Sequence, residues 1–126
     1  MFNIPFTRSV LVIGLAFSAA GFAAPSEEPQ VVNVIARRFE FDPATITVTV
    51  GQPVRLMVRS EDGLHGMEIK KLKISKDIPR GGEAVIINFT PNAVGEFPIL
   101  CSEYCGDGHD GMRGTLVVQA QDSASR

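Results

Sequence analysis

A twelve-residue stretch near the C-terminus carries most of the side chains that could do chemistry. It runs from Cys101 to Met112, reads C-S-E-Y-C-G-D-G-H-D-G-M, and holds both cysteines, one of the two histidines and one of the four methionines. Thiolate, imidazole and thioether groups together suit copper that cycles between Cu(II) and Cu(I). The other histidine, His65, lies far upstream and is predicted to reach the same metal from a neighbouring loop.

The spacing of these side chains favours a loop over a strand. His109 lies four residues after Cys105 and Met112 three residues further on, so a straight strand could not bring all three together. A tight loop needs backbone freedom, which three glycines supply: Gly106, Gly108 and Gly111. The main structural alternative is a disulfide between the two cysteines of an exported protein. A disulfide would not account for a histidine and a methionine at ligand spacing.

The stretch resembles the motif of a dinuclear copper centre. The pattern C-x-E/Q-x-C-x-x-x-H-x-x-M, with one histidine upstream, resembles the CuA motif in subunit II of haem-copper terminal oxidases, which nitrous oxide reductases also contain. The resemblance extends over residues 31–118. It implies a bound pair of copper ions, held by six residues: His65, Cys101, Glu103, Cys105, His109 and Met112.

The resemblance also gives each ligand a role. Both cysteines would bridge the two coppers, because a thiolate can donate to two metals. One copper would be completed by His65 and Met112. The other would be completed by His109 and the backbone carbonyl of Glu103. Sharing one electron over two metals changes each bond little, which would make electron transfer fast.

The rest of the chain predicts an all-β fold. Residues 31–36 are rich in β-branched side chains, and Ile46, Val48 and Val50 alternate with threonines, as expected of a half-buried strand. One strand is predicted from Met67 through Ile74, and Pro98 indicates a sheet edge or a bulge. Seven or eight short strands with regular turns predict a β-sandwich. The resemblance narrows this to a cupredoxin-like Greek-key β-sandwich.

The N-terminus has the features of an export signal. Arg8 precedes an apolar run, and small residues follow it, so residues 1–23 are predicted to be a signal peptide cleaved after Ala23. Residues 24–30 would be a linker, 31–119 the CuA-type domain, and 120–126 a polar tail. The predicted location is the periplasm or another extracytoplasmic space. The alternative is an uncleaved N-terminus that anchors the domain to the membrane.

Several functions agree with these residues. The first is an electron-transfer domain that accepts electrons from a donor such as a c-type cytochrome and passes them to a terminal oxidase or reductase. Such a protein is an electron carrier or a non-catalytic, subunit II-like component of a cytochrome c oxidase. The alternatives are a copper storage or delivery protein and a mononuclear copper protein.

The charge of the chain indicates which classes of partner it could bind. A net charge of −2 and the lack of a basic, aromatic-rich patch in the sequence argue against nucleic-acid binding. Four acidic residues near the predicted ligands would form a rim that steers a basic donor: Glu61, Asp62, Asp107 and Asp110. Four lysines are instead interpreted as part of a solvated strand and turn: Lys70, Lys71, Lys73 and Lys76.

Overall fold

The computed structural model describes residues 28–122 and Gly14. The predicted signal peptide, Gly14 apart, and most of the predicted linker lie outside these residues. The described strands are β1 (Gln30–Arg37), β2 (Glu40–Asp42), β3 (Thr45–Thr49), β4 (Val54–Ser60), β5 (His65–Ile69), β6 (Ile74–Ile78), β7 (Val85–Phe89), β8 (Gly95–Leu100) and β9 (Arg113–Gln119). Short 3-10 helices span Lys70–Leu72 and His109–Gly111. Among the described residues, no helix is long and apolar enough to cross a membrane.

The strands form two sheets. One has four strands in the order β2-β1-β4-β7, and the other has five in the order β3-β9-β8-β5-β6. The pairs β1–β4 and β3–β9 are parallel, whereas the other pairs are antiparallel. The predicted all-β class is confirmed.

The core lies between the sheets and follows the predicted alternation. Ile46 and Val48 of β3 are buried, whereas Thr45 and Thr47 are exposed. Leu56 and Val58 of β4 are buried on either side of the half-buried Met57. Leu116 of β9 is fully buried opposite Ile46, its register partner. Period-two burial on both sheets fixes the register, because a one-residue slip would turn every apolar side chain outward.

The strand predicted from Met67 through Ile74 is interrupted. The structure ends β5 at Ile69, inserts the 3-10 helix Lys70–Leu72, and resumes at β6. Lys73 has a φ of 55°, a left-handed conformation that reverses the chain direction. As a result β6 folds back antiparallel to β5. The apolar spacing alone did not reveal this turn.

Pro98 lies beside a gap within the five-stranded sheet. Strand β8 pairs with β9 along its whole length, but it pairs with β5 only through Leu100 and Glu68. Next to Pro98, therefore, β8 has no hydrogen-bonded neighbour on the β5 side. The sequence predicted an edge or a bulge at this residue, and the local environment is edge-like although β8 is an inner strand.

Candidate metal centre

The Cys loop, residues 101–112, connects β8 to β9 and closes on itself. The backbone N–H of Cys101 donates to the carbonyl of Met112 at 3.3 Å, so the two ends of the loop meet. Within it, the N–H of His109 donates to the Gly106 carbonyl at 3.0 Å, and the N–H of Met112 donates to the His109 carbonyl at 3.1 Å. These turns bring the second half of the loop back over its first half, as the spacing predicted.

The loop gathers the soft donors around one sulfur. Cys105 Sγ lies 3.7 Å from Cys101 Sγ, 3.7 Å from Met112 Sδ and 3.6 Å from His109 Nδ1. Cys101 Sγ lies 3.2 Å from the backbone carbonyl oxygen of Glu103. The cysteines and Met112 are buried, and both cysteines are free thiols.

His65 contributes to the cluster from outside the Cys loop. It is the first residue of β5, whereas the sequence predicted that it would lie in a loop. Its imidazole is fully buried, and one ligand atom from each of His65, Cys101 and Cys105 lies within 4.8 Å of the others. Its Nε2 lies 2.5 Å from Asp62 Oδ1, while its Nδ1 has no hydrogen-bond partner among the described residues. Nδ1 is therefore the nitrogen left to bind a metal.

Asp62 sets the orientation of this histidine. Burial disfavours its charge, but hydrogen bonds from the backbone N–H of Arg38, from His65 and from the N–H of Gly63 outweigh it and lower the pKa of Asp62 to about 2. An ionised carboxylate accepts a hydrogen bond from Nε2–H. The proton therefore stays on Nε2, and the free lone pair is on Nδ1. The sequence interpretation placed Asp62 in a steering rim. Its position three residues before His65 is the signal that could have identified this role.

Arg38 links the two segments that carry the donors. Its backbone N–H donates to Asp62 Oδ2 at 2.8 Å, and its Nε donates to the carbonyl of Cys105 at 2.9 Å. One residue thus contacts both the support of His65 and the middle of the Cys loop. Nothing in the sequence singled out Arg38, because its two contacts are distant in the chain.

The thiol of Cys105 lies in an environment that disfavours its charge. Burial, followed by the hydrogen bond with Cys101 and the charge of Cys101, raises the pKa of Cys105 to about 11. Without metal the Cys105 side chain is therefore a neutral thiol at neutral pH. A cation must displace its proton to bind, as thiolate-binding metals do.

The two-sheet architecture is that of a known family. The family model for the cupredoxin-like domain matches residues 9–118. The chain belongs to the cupredoxin-like domain family. The predicted cupredoxin-like β-sandwich is therefore confirmed.

This cupredoxin domain is similar in sequence and in fold to subunits of terminal oxidases. Cytochrome c oxidase subunit 2 of Thermus thermophilus is 34% identical over 88 residues, which make up 70% of this chain and 64% of the relative. The match thus leaves over a third of that relative uncovered. A haem-copper terminal oxidase dimer has a chain of the same fold, with a TM-score of 0.65 and 24% identity over 75% of this chain and 68% of that one. The periplasmic domain of oxidase subunit II (CoxB) from Bradyrhizobium japonicum also has a TM-score of 0.65, with 17% identity over 75% and 87% of the two chains.

The residues of this cupredoxin domain fit copper. A buried imidazole nitrogen without a partner is costly unless something binds it. Two thiol sulfurs lie close enough for one ion to reach both of them and the imidazole of His65. Sulfur and imidazole donors select copper over the hard cations, which prefer oxygen. Family membership and this donor set together support copper binding.

Gly66 lets the cupredoxin's Cys loop approach β5. A Cβ at this position would lie 2.9 Å from the backbone nitrogen of Glu103 and would collide with the Ser102 side chain. We expect Gly66→Ala to lower the free energy of unfolding by about 1–3 kcal/mol, the usual cost of an added methyl group in a packed site. Because the strain falls on the loop, copper content after reconstitution should also fall.

The matched control is Gly111→Ala, since a Cβ there meets nothing within 4 Å. Urea unfolding of the metal-free variants and copper analysis of the reconstituted ones measure both effects. Equal losses in the two variants would contradict the close-approach argument.

The lowered pKa of Asp62 predicts a pH dependence. Its pKa is about 2 in the folded protein against an ordinary 3.8, so the unfolded chain binds the proton more readily. The carboxylate thus contributes stability that is fully present above about pH 4 and is lost as pH falls through about 2. We expect the stability difference between the native chain and Asp62→Asn to shrink from pH 6 to pH 2.5.

Urea unfolding of the metal-free proteins at several pH values measures this difference. Asp77→Asn is the control, because Asp77 is an exposed residue of β6. A stability difference for Asp62→Asn that does not change with pH would show that its carboxylate is not held ionised by these hydrogen bonds.

Proposed function

We propose that this domain holds a dinuclear, CuA-type copper centre and transfers electrons. Cys101 and Cys105 would bridge the two ions, as the resemblance to oxidase subunit II implies. The observation that carries the proposal is the pair of buried sulfurs 3.7 Å apart, each with its own set of further donors. When bound, the copper pair supplies a one-electron redox couple shared between two metals.

The remaining donors divide into two sets. His65 Nδ1 and Met112 would complete one copper, since Met112 Sδ lies 3.7 Å from Cys105 Sγ. His109 and the Glu103 carbonyl would complete the other. This division is the one that the resemblance implies. Each of the two donors lies near a cysteine sulfur: Cys105 Sγ is 3.6 Å from His109 Nδ1, and Cys101 Sγ is 3.2 Å from the Glu103 carbonyl oxygen.

The chain's own residues favour electron transfer over copper delivery. A delivery protein must hand its metal to another ligand set, which needs accessible donors. Here His65 is 0% exposed, Met112 is 1% exposed and both cysteines are buried, so these four donors are shielded from water and from an attacking ligand, whereas His109 is half-buried. Asp62 and Arg38 hold the donors in place from both sides. A site fixed in this way suits an electron carrier, whose ligands should move little between oxidation states.

The proposed partners are a c-type cytochrome as donor and a terminal oxidase or reductase as acceptor. The likeness to oxidase subunit II supports the acceptor class. Leu64 and Tyr104 are exposed apolar residues that flank His65 and Cys105 in the chain, and Tyr104 stacks at a tilt on His109 with 5.7 Å between ring centroids. An apolar patch next to a redox site provides contact area for a transient partner.

An extracytoplasmic location follows from the same proposal. We infer a cleaved signal peptide in residues 1–23, a linker in 24–30, the CuA-type domain in 31–119 and a polar tail in 120–126. The fold neighbour from Bradyrhizobium japonicum is a periplasmic domain, which supports export. An uncleaved N-terminus would anchor the same domain at the outer face of the membrane.

The nuclearity of the centre can be tested by copper analysis and EPR. We expect two coppers per chain and, in the mixed-valence form, an unpaired electron shared by two copper nuclei, which gives more hyperfine lines than one nucleus can. Cys101→Ser and Cys105→Ser should each abolish that pattern, because each thiolate would contact both metals. Met112→Leu should keep two coppers and shift the reduction potential, since a thioether is a weak ligand.

Met57→Leu is the matched control for the methionine, because Met57 lies on β4 in the other sheet. It should leave both the spectrum and the potential unchanged. One copper per chain with a single-nucleus pattern would rule out the dinuclear centre and favour the mononuclear alternative.

Two of the four acidic residues proposed to steer a basic donor are engaged in contacts within the domain. Glu61 pairs with Arg37 at 3.0 Å and Asp62 binds His65, so the remaining acids of the set are Asp107 and Asp110 on the Cys loop. We expect reduction by a basic c-type cytochrome to slow as the salt concentration rises. Salt screens the attraction between the two proteins, and the screening length falls to about 10 Å at an ionic strength of 0.1 M. Asp107→Asn/Asp110→Asn should weaken that salt dependence.

Stopped-flow reduction at several ionic strengths measures the effect. The control is Glu28→Gln/Glu96→Gln, which removes the same charge; Glu96 lies at the end of β8 away from Cys101. A rate that does not fall with salt, or equal effects in the two double variants, would exclude steering by the Cys loop.

A further inference from the structure

We propose a second docking surface on this domain, for an acidic redox protein that inserts an apolar side chain between lysines. The inference rests on the proposed electron-transfer function and names a second class of partner for the same centre. It lies in the gap between β5 and β8, which we call the lysine pocket. The lining residues are Ile69, Lys70, Lys71, Phe97, Pro98 and Leu100.

The lysine pocket results from the way two strands separate. Strands β5 and β8 are paired only at Glu68 and Leu100, and the chain then turns away through the 3-10 helix Lys70–Leu72. A cavity of about 200 Å³ remains between the 3-10 helix and β8. Each water takes about 30 Å³ of liquid volume, so the cavity has room for one aliphatic or aromatic side chain.

The rim of the lysine pocket is basic in a chain that is acidic as a whole. Residues 68–77 contain four lysines and two acids, whereas the whole chain has a net charge of −2. Lys70 makes only a long pair with Glu68, at 3.9 Å, and is exposed. Lys71 Nζ lies 6.0 Å from the centre of the Phe97 ring. Within residues 28–122, no carboxylate lies in ion-pair distance of Lys73 or Lys76.

Charge and shape together define the occupant. An apolar cavity bordered by Lys71 and by Lys70, whose one ion pair is long, complements an apolar side chain flanked by carboxylates. The apolar side chain would supply the desolvated centre of the contact, and the lysines would orient the partner and speed its association. A basic partner would be repelled here and directed to the acidic Cys loop. The lysine pocket would therefore accept an acidic partner, and the Cys loop a basic one.

The walls of the lysine pocket continue directly into the proposed metal ligands. Leu100 lines the cavity and is followed in the chain by Cys101. Ile69 lines the opposite wall and ends β5, the strand that begins at His65. Electronic coupling falls with the length of the path between donor and acceptor, so a partner seated here has a short covalent route to a bridging thiolate. This placement makes the surface suitable for electron exchange.

Binding can be tested with the copper-loaded, reduced protein labelled with 15N. The probe is the peptide acetyl-DEFED-amide, with acetyl-DEAED-amide and acetyl-KKFKK-amide as matched peptides. We expect the first to shift the amide signals of residues 69–72 and of Phe97, Ile99 and Leu100, the second to bind at least fivefold more weakly, and the third to leave these signals unchanged. Shifts scattered over all lysines, or equal binding of the first two peptides, would overturn the proposal.

Charge-matched variants separate the lysine pocket from general electrostatics. Lys70→Glu/Lys71→Glu should weaken acetyl-DEFED-amide at least tenfold, whereas Arg55→Glu/Arg59→Glu, with the same net charge change on the other sheet, should have a much smaller effect. Vesicles of phosphatidylglycerol form another arm. If they perturb the lysine pocket while the peptide does not, the occupant is a lipid surface and the proposed protein partner is wrong.

Electron exchange through the surface is tested with hexacyanoferrate(III) as the oxidant of the reduced centre. Its rate should fall at least threefold more in Lys70→Glu/Lys71→Glu than in Arg55→Glu/Arg59→Glu, and an equal fall would overturn the redox role. Copper content and EPR pattern should be native in both variants. Loss of the two-copper pattern in the native chain would refute the proposed function, whereas peptide binding at the lysine pocket would still be measured independently.

Discussion

A buried imidazole nitrogen without a partner is the feature on which the metal end of this domain depends. His65 is fully buried, its Nδ1 has no hydrogen-bond partner among the described residues, and its Nε2 is bound by Asp62. Leaving such a buried polar atom unpaired is unfavourable. The surroundings nevertheless hold it in this state, because Asp62 is itself fixed by backbone N–H groups of Arg38 and Gly63. Hydrogen bonds from the protein's own groups therefore fix the orientation of this imidazole.

Hydrogen bonds also fix the Cys loop, which supplies the donors on the side of the site opposite His65. The Cys loop is tied at its ends by the hydrogen bond between Cys101 and Met112, and it is tied in its middle by Arg38. Strand β5 can pack against this loop because Gly66 has no side chain. Backbone hydrogen bonds and close packing, which do not depend on the oxidation state of a metal, therefore determine where the donors lie.

The sequence predicted the parts of this architecture that are local in the chain. The alternating burial in β3 was predicted from its period-two pattern, and the convergence of Cys105, His109 and Met112 was predicted from their spacing within one loop. The contacts of Arg38 with Asp62 and Cys105 span 24 and 67 residues, and no local pattern carries that information. The turn at Lys73 was missed for another reason: lysine rarely adopts a left-handed φ, so its type gave no signal.

The interruption of the predicted long strand has consequences beyond topology. If the chain had continued straight from Met67 through Ile74, β5 would have remained beside β8 and covered Phe97 and Pro98. The 3-10 turn instead moves the chain away and leaves Pro98 without a ladder partner on that side, which a residue lacking an N–H tolerates. The same turn places Lys70 and Lys71 at the border of the gap. The 3-10 helix Lys70–Leu72, with Lys73 as its left-handed cap, thus accounts for both the edge-like character of an inner strand and the position of the basic rim. Two of the proposed metal donors lie at the other ends of these strands, His65 at the start of β5 and Cys101 just after β8, so the turn lies away from His65 along β5.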